Sequence, residues 1–276
     1  MSNSDISSPG RLLLRLILYF LLGLSLLPVV VMVLLSLKSN VEIITDFWSL
    51  PSVIRWDNYP GAIDTIKGST FNSLFVTLVS CTCIVFLSSL AGFVFARHRF
   101  PGKETLFTIL IGLVMIPQVL LLVPLFVEVK SMGIADTYWA LILPYVAGGQ
   151  IIGILLCRGF MATIPKELFE SARLDGATEF QVYRHVVLPL SLPIMIAIGI
   201  INFHSIYNDF IWPLMILQDQ NLKTFAVAIF ELSTVYRFEY GLTFAAYVVG
   251  SLPLVVVLMF GMKYFVRGIT EGGVKA

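Results

Sequence analysis

Six long runs of apolar residues alternate along the chain with shorter polar segments. Each run has about 20 residues or more, which is the length an α-helix needs to cross the hydrocarbon core of a bilayer. The pattern therefore predicts an all-α, polytopic membrane protein with six transmembrane helices. The predicted spans cover residues 12–37, 71–96, 105–127, 138–157, 190–217 and 241–266.

The composition agrees with a membrane environment. Hydrophobic residues make up 58% of the 276-residue chain and charged residues 13%, with a mean hydropathy of +0.91, whereas soluble domains carry about 25% charged residues. The first apolar run follows Arg11 and Arg15, as the apolar part of a signal peptide would. It is too long for a signal peptide and lacks a small-residue cleavage site, so we expect it to be retained as a span.

The distribution of basic residues predicts which segments face the cytoplasm. With the N-terminus inside, twelve of the 18 Lys and Arg residues lie on the cytoplasmic side, where membrane proteins normally carry their excess. We therefore expect both ends, residues 1–11 and 267–276, to be cytoplasmic. Between them lies a transmembrane domain over residues 12–266, which contains a large cytoplasmic loop at residues 158–189. The net charge of +1 gives no indication of nucleic-acid binding.

The reactive side chains form no catalytic or metal-binding pattern. Cys81, Cys83 and Cys157 lie in apolar segments without His or acidic partners, so we expect neither a disulfide nor a metal site. The three His residues have no partner group at a recognisable spacing, which argues against a membrane enzyme. An ion-coupled secondary transporter is a weaker alternative, because its ionisable groups would be spread over several spans and here they concentrate in the fifth.

The sequence of the loop at residues 158–189 predicts two short helices. Pro165 suits a helix start, and the segment from Lys166 to Leu174 is rich in helix formers until Asp175 and Gly176 end it. Thr178 and Gln181 then have the spacing of a capping box, which predicts a second helix to about Leu188. An apolar side is predicted from Leu168, Phe169, Ala172, Phe180, Tyr183, Val186 and Val187. Periodicity alone indicates an amphipathic segment on a membrane surface.

The residue types in this loop resemble a known sequence signature. Glu170, Ser171 and Ala172, then Gly176 after three residues, and Val186, Leu188 and Pro189 after nine more, resemble the signature of ABC-transporter permease subunits. That signature reads Glu-Ala-Ala, three residues, Gly, nine residues, Ile, one residue, Leu-Pro, so Ser171 and Val186 are small departures. The segments "IPKELFESARLDGA", "NDFIWPL" and "KYFVRGITEGGVKA" are similar to sequences of the carbohydrate-importer branch, specifically the second permease of the maltose and glycerol-3-phosphate type.

The resemblance implies a role for the loop and a set of partners. In that family the loop supplies a coupling helix, which docks on a cytoplasmic ATPase and transmits its closure to the spans. The residues implied in coupling are Glu170, Ser171, Ala172, Asp175, Gly176, Leu188 and Pro189. The implied partners are a second permease, two ATPase domains and an extracytoplasmic solute-binding protein, in the plasma (inner) membrane of a prokaryote.

The chain itself is expected to bind no cofactor and to catalyse no reaction. It has no G-x-x-x-x-G-K-[ST] sequence for ATP phosphates, so ATP and Mg²⁺ are expected on the partner ATPase subunits. The resemblance implies import of a sugar, with a non-sugar polyol or a glycerol-3-phosphate-like solute as the alternative. It also implies contact between residues 270–276 and the ATPase, whereas the two glycines of this tail are typical of a frayed end.

Polar residues inside the fifth span indicate where a solute passes. A charged group at mid-bilayer costs roughly 2.5–3.5 kcal/mol, so the polar side chains between Asn202 and Asp209 need polar surroundings. They face either a wet cavity or a neighbouring helix as packing contacts, and the sequence leaves both open. Pro117 and Pro144 mark places where other spans open toward the same cavity. The candidate residues of the solute path are Gln118, Gln150, Asn202, His204, Tyr207, Asn208, Asp209 and Trp212.

Overall fold

The computed structural model describes residues 8–235 and 239–273, and within these two ranges the chain forms helices, turns and loops but no strand. The helices in chain order are α1 (Ser8–Ser36), α2 (Asn40–Thr45), α3 (Asn58–Arg97), α4 (Lys103–Val114), α5 (Gln118–Ser131), α6 (Trp139–Ala162), α7 (Lys166–Leu174), α8 (Glu179–Leu190), α9 (Leu192–Tyr207), α10 (Ile211–Ile216), α11 (Phe225–Val235) and α12 (Tyr240–Gly273).

The helices include several that suit a bilayer. Helices α1, α3, α6 and α12 are each long and apolar enough to cross one. Two further pairs pass that test only together, because a break bends them by 100° between α4 and α5 and by 72° between α8 and α9. The described chain is therefore that of a helical polytopic membrane protein, with four spans or up to six if each bent pair counts as one.

The third apolar run does not form one straight helix. Helix α4 ends at Val114, and α5 begins at Gln118 with Pro117 at its N-cap in an extended conformation. Proline has no N–H to donate, and it disfavours helical geometry at the residue before it. The run over residues 105–127 is consequently interrupted at Pro117, a place that the sequence marks only as a possible opening of the backbone.

Two other apolar runs also differ from their predicted extents. Helix α3 begins at Asn58, well before residue 71. The apolar run does not include the first turns of this helix because they contain polar residues. Helix α9 ends at Tyr207, and the chain resumes helical geometry only at Ile211. The Asn208 side chain donates a hydrogen bond to the carbonyl oxygen of His204 at 2.8 Å, a local contact of the kind that competes with helix continuation.

Contacts divide the chain into two compact units, Met1–Lys67 with Ile229–Ser251 and Gly68–Ala228 with Leu252–Ala276. In the first unit, Lys38 is fully buried, and its Nζ donates to the carbonyl oxygens of Asp46 and Phe47 at 2.8 and 3.1 Å. These bonds hold the loop after α1, on which Trp48 and Trp56 are largely exposed. Two exposed Trp side chains next to a membrane helix agree with an interfacial position.

The second unit is built on close packing of α3 against α6. A Cβ atom at Gly92 would collide with the Cys157 side chain, and one at Gly153 would collide with Ser88. Small residues let helix backbones approach in this way, which is how membrane helices gain packing contacts. This unit carries both candidate sites. The predicted contact of residues 270–276 falls on side chains outside the described part of the chain.

Candidate functional site

The first candidate site is the loop between α6 and α9, where the predicted helix boundaries are confirmed. Helix α7 spans Lys166–Leu174, and Gly176 follows with a φ of 81°. The Gly176 N–H donates to the carbonyl oxygen of Arg173, and the Ala177 N–H donates to that of Ala172, both at 3.0 Å. This is the Schellman arrangement, in which a left-handed residue ends the helix and satisfies its last carbonyl groups.

The second helix of the loop begins as predicted. Thr178 and Gln181 form a capping box, with the Thr178 N–H donating to Gln181 Oε1 at 2.8 Å. A π-helical turn over Tyr183–Val187 then leads to Leu188 and Pro189. Pro189 has no N–H for the carbonyl group four residues earlier, so the hydrogen-bond pattern changes where the chain approaches it.

The structure divides the predicted apolar side of the loop into an inner and an outer part. Phe169, Tyr183 and Val187 are buried, and the Tyr183 hydroxyl lies 2.6 Å from Ser89 Oγ on α3. Leu168 and Phe180, by contrast, are exposed. We define the tip surface as the exposed side chains on and after α7, namely Leu168, Glu170, Ser171, Leu174, Asp175 and Phe180.

Polar contacts fix the loop to the end of α3. Arg97 donates to the carbonyl oxygens of Met161 and Ile164 at the end of α6, and its guanidinium lies 4.2 Å from the centre of the Phe169 ring on α7. The Glu179 carboxylate lies 2.9 Å from Arg173 Nε and 3.2 Å from His98 Nε2. The loop is thus fixed to α3 and to the end of α6.

The second candidate site is a cavity of about 300 Å³ at the broken helices. Its walls come from α5, α6, α9 and α10, next to the break after α9. Four of the predicted path residues line it, together with Tyr145, Gly148, Gly149 and Ser205. The four are Gln118, Asn202, Asp209 and Trp212. An adjoining, more apolar cavity of about 570 Å³ shares Gln118, Tyr145, Asp209 and Trp212.

Hydrogen bonds orient the polar groups of the cavity. The Tyr145 hydroxyl donates to Asp209 Oδ2 at 2.8 Å, and Trp212 Nε1 donates to the carbonyl oxygen of Ala140 at 3.0 Å. Asn202 Nδ2 donates to the carbonyl oxygen of Ile198 within its own helix. A Cβ atom at Gly149 would meet Asn202 Oδ1 at 2.5 Å, so this glycine makes room for the amide.

The other four predicted path residues do not line this cavity. Tyr207 is buried in a stack between Phe203 and Phe225, with ring centres 5.7 and 5.9 Å away. His204 and Asn208 are exposed at the end of α9, where Asn208 Nδ2 donates to the carbonyl oxygen of His204 and lies 3.3 Å from His204 Nδ1. Gln150 is half-buried on α6, and its backbone carbonyl oxygen accepts a hydrogen bond from the Ser88 hydroxyl.

Sequence reasoning missed Tyr145 and Arg97. Tyr145 is an ordinary aromatic residue of an apolar span, and its partner lies 64 positions away. Arg97 sits at the end of a predicted span, where a basic residue is usual. A signal for Tyr145 was its place directly after Pro144, which the sequence marks as an opening.

Known proteins are similar to this chain in sequence and in fold. The family model described as "Binding-protein-dependent transport system inner membrane component" matches residues 84–271. The arabinooligosaccharides transport system permease protein AraQ of Bacillus subtilis (strain 168) is 30% identical, with 96% of each chain covered. The trehalose transport system permease protein SugB of Mycobacterium tuberculosis is 32% identical, covering 92% of this chain and 93% of SugB.

One solved structure has nearly the same fold. A chain from the crystal structure of a bacterial ABC transporter involved in the import of the acidic polysaccharide alginate superposes with a TM-score of 0.81. The match covers 95% of this chain and 100% of that one, at 18% sequence identity. At that identity the likeness concerns the fold alone.

Proposed function

Because the chain belongs to the family of binding-protein-dependent transport system inner membrane components, we propose that it is one permease subunit of an ATP-driven importer whose solute is a sugar. The family is one of transporter permeases and not of catalytic enzymes. In the proposed assembly, ATP and Mg²⁺ bind two separate ATPase domains and a second permease completes the solute path. An extracytoplasmic solute-binding protein delivers the sugar.

The observation that carries this proposal is the tip surface on a rigidly held α7. Leu174 is 89% exposed and Phe180 67% exposed, although large apolar side chains favour burial by about 1.5–3 kcal/mol each. The exposed carboxylates of Glu170 and Asp175 lie on the same short segment. An apolar surface with acidic groups suits a protein partner that offers a groove and basic side chains.

The contacts that fix α7 to α3 and to the end of α6 support a role in transmitting movement. Arg97, Phe169 and Tyr183 join the loop to α3 and to the end of α6. Force applied to the tip surface is therefore passed to two spans of the second unit, without a flexible linker. Helix α9, whose polar end borders the cavity, follows the loop directly through Leu188 and Pro189. We propose these contacts as the route from ATPase closure to the solute path.

The polar cavity supports a sugar as solute. Gln118, Asn202, Asp209 and Tyr145 provide hydrogen-bond donors and acceptors, and Trp212 is an aromatic residue of the wall. Sugar rings present hydroxyl groups together with apolar C–H faces, so they match such a lining. AraQ and SugB are named for arabinooligosaccharide and trehalose transport, which favours the same class here. The exposed pair of His204 and Asn208 is proposed to face the second permease.

The orientation in the membrane belongs to the same proposal. With both termini cytoplasmic, the α7 loop and the turn after α3 face the ATPase, and the Trp48 loop faces the binding protein. The excess of basic residues in the segments assigned to the cytoplasmic side supports this arrangement.

Reconstitution in proteoliposomes tests the proposed function. The chain is purified with its partner permease and ATPase subunits, and uptake of labelled trehalose and arabinooligosaccharides is measured with the cognate binding protein outside. We expect uptake that requires ATP in the compartment of the ATPase and that is unchanged by protonophores and sodium ionophores. Uptake that ionophores abolish and ATP does not drive would contradict the proposal and favour an ion-coupled transporter.

A further inference from the structure

A strongly basic pocket lies between α7 and the turn after α3, apart from the cavity at the broken helices, and it borders the tip surface at Glu170. It has a volume of about 240 Å³, and its wall is formed by the turn between α3 and α4 on one side and by α7 on the other. Five side chains of its lining are Lys or Arg, one is His98, and one is a carboxylate. The five cationic residues are Arg97, Arg99, Lys103, Lys166 and Arg173, and the carboxylate is Glu170.

The spacing on α7 shows that this is one face of a helix. Lys166, Phe169, Glu170 and Arg173 stand at positions i, i+3, i+4 and i+7, which share one side of an α-helix. The turn contributes the other basic groups from a second element. A ligand in the pocket would therefore contact both α7 and the end of α3.

The positive charges are only partly balanced within the described residues. Arg173 pairs with Glu179, and Arg97 donates to backbone carbonyl groups. Lys103 Nζ donates to the carbonyl oxygen of His98 at 3.1 Å, which leaves its charge uncompensated. Neither Arg99 nor Lys166 takes part in an ion pair within residues 8–235 and 239–273. Like charges this close repel each other, and an anion between them removes the repulsion.

Two polar atoms of residues at this site are also shielded from solvent and have no hydrogen-bond partner among the described residues. They are Arg97 Nε and His98 Nδ1, which belong to two neighbouring lining residues. Buried polar nitrogen atoms normally have a partner. These two atoms therefore add unsatisfied polar groups to the junction of α3 and the turn in the described part of the chain.

We propose that this pocket binds a phosphate group and that the bound group links α7 to the turn after α3. Arginine and lysine side chains from two elements match the oxygens of a phosphate. Basic pockets between membrane helices on the cytoplasmic side are typical binding sites for phospholipid headgroups. A headgroup and a free phosphate share this chemistry. The cytoplasmic position of the pocket rests on the proposed function.

A thermal-shift experiment on the intact transporter distinguishes the two sources. The complex is placed in nanodiscs of phosphatidylcholine. One sample receives inorganic phosphate at constant ionic strength, and a second uses nanodiscs that also contain phosphatidylglycerol. A ligand that binds only the folded state raises the unfolding midpoint, and we expect a rise of about 2 °C or more in at least one arm.

Two matched double variants identify the site. Lys103→Gln with Lys166→Gln removes two charges from the pocket, and Arg184→Gln with Lys263→Gln removes two charges outside it. The ATPase nucleotide sites bind phosphate equally in all samples, so the comparison is between variants. We expect the control variant to shift like the wild type and the pocket variant to lose most of the shift, each relative to its own baseline.

Each outcome has a defined meaning. A shift with phosphatidylglycerol alone identifies a lipid headgroup, and a shift with inorganic phosphate identifies a free anion. Equal shifts in the pocket variant and the wild type overturn the proposal. Loss of ATPase subunits from the pocket variant alone also overturns it, because the cations would then contact the partner protein. Normal solute-dependent ATP hydrolysis without a variant-dependent shift refutes the pocket and leaves the proposed function intact.

Discussion

Tyr145 on α6 donates a hydrogen bond to Asp209 in the break between α9 and α10, with 2.8 Å between the two oxygen atoms. The bond joins α6 to the segment between α9 and α10 at the wall of the cavity of about 300 Å³, and it holds a carboxylate at the interruption of the helix. Hydrogen bonds to charged groups contribute about 1.5–3 kcal/mol. The pair therefore holds the Asp209 acceptor in place at the cavity wall.

Removing this bond should impair uptake more than assembly. We expect Tyr145→Phe and Asp209→Ala each to lower sugar uptake about tenfold, and the double variant to add little, because both remove the same interaction. Tyr19→Phe, on the exposed side of α1, is the control and should behave as the wild type. Additive losses in the double variant would show that the two side chains act independently.

Tyr207 should behave as a packing residue. Its ring stacks on Phe203 and Phe225, so Tyr207→Ala removes a buried aromatic side chain, a change that typically costs 3–5 kcal/mol. We expect a lower yield of folded complex and a lower unfolding midpoint. Leu192→Ala, on the exposed side of the same helix, should leave both unchanged. A Tyr207→Ala complex with normal stability but poor uptake would instead place this residue in the solute path.

The tip surface should be required for binding of the ATPase. Leu174→Asp and Phe180→Asp replace exposed apolar side chains, so they should not disturb folding. We expect each to reduce the amount of ATPase that copurifies with the permease by about tenfold, because contacts at the centre of an interface often contribute 2 kcal/mol or more. The matched control is Ile44→Asp, an equally exposed change on α2, which should retain the ATPase. Full retention in both tip variants would exclude docking at this surface.

Asp136 should make stability depend on pH. Its Oδ1 accepts hydrogen bonds from the backbone N–H groups of Asp219 and Gln218, and these bonds hold the pKa of the carboxyl group below its ordinary value. A lowered pKa in the folded state stabilises the protein at pH values above the unfolded pKa of about 4, and this stabilisation is lost as the pH falls through the folded pKa.

The matching measurement compares two variants. We expect Asp136→Ala to lower the unfolding midpoint at pH 6 and to approach the wild type at pH 3. Asp136→Asn should be closer to the wild type at pH 6, because asparagine keeps an acceptor oxygen and tolerates the φ of 58° at this position. The same Asp136→Ala deficit at both pH values would show that backbone strain, and not the carboxylate, is responsible.

Local signals in the sequence were sufficient for the coupling loop but not for the cavity. The ends of α7 and the capping box depend on residues within a few positions, such as Pro165, Gly176 and Thr178, so the pattern predicts them correctly. The pairing of Tyr145 with Asp209 depends on how α6 packs against α9, which no short-range pattern contains. The 100° bend at Pro117 is intermediate, since proline marks the place of a break but not its angle.

Polarity alone could not separate packing from solute contact. Asn202, Tyr207 and Asp209 all stand out as polar residues in an apolar span. The structure places Asn202 and Asp209 at the cavity and Tyr207 in an aromatic stack, because a helix turns about 100° per residue and neighbouring residues face different surroundings.

The most direct test of coupling through α7 is the number of solute molecules imported per ATP hydrolysed, measured in proteoliposomes for substitutions of Gly176. A Cβ atom there meets no neighbour within 4 Å, so the cost of a side chain is conformational, about 1 kcal/mol or more at positive φ. We predict that Gly176→Leu lowers this ratio at least fivefold in assembled complexes, and that Gly176→Asn, which tolerates left-handed geometry, largely preserves it. Gly159→Leu, in open space at an ordinary helical position, should match the wild type. A wild-type ratio for Gly176→Leu would contradict coupling through this helix.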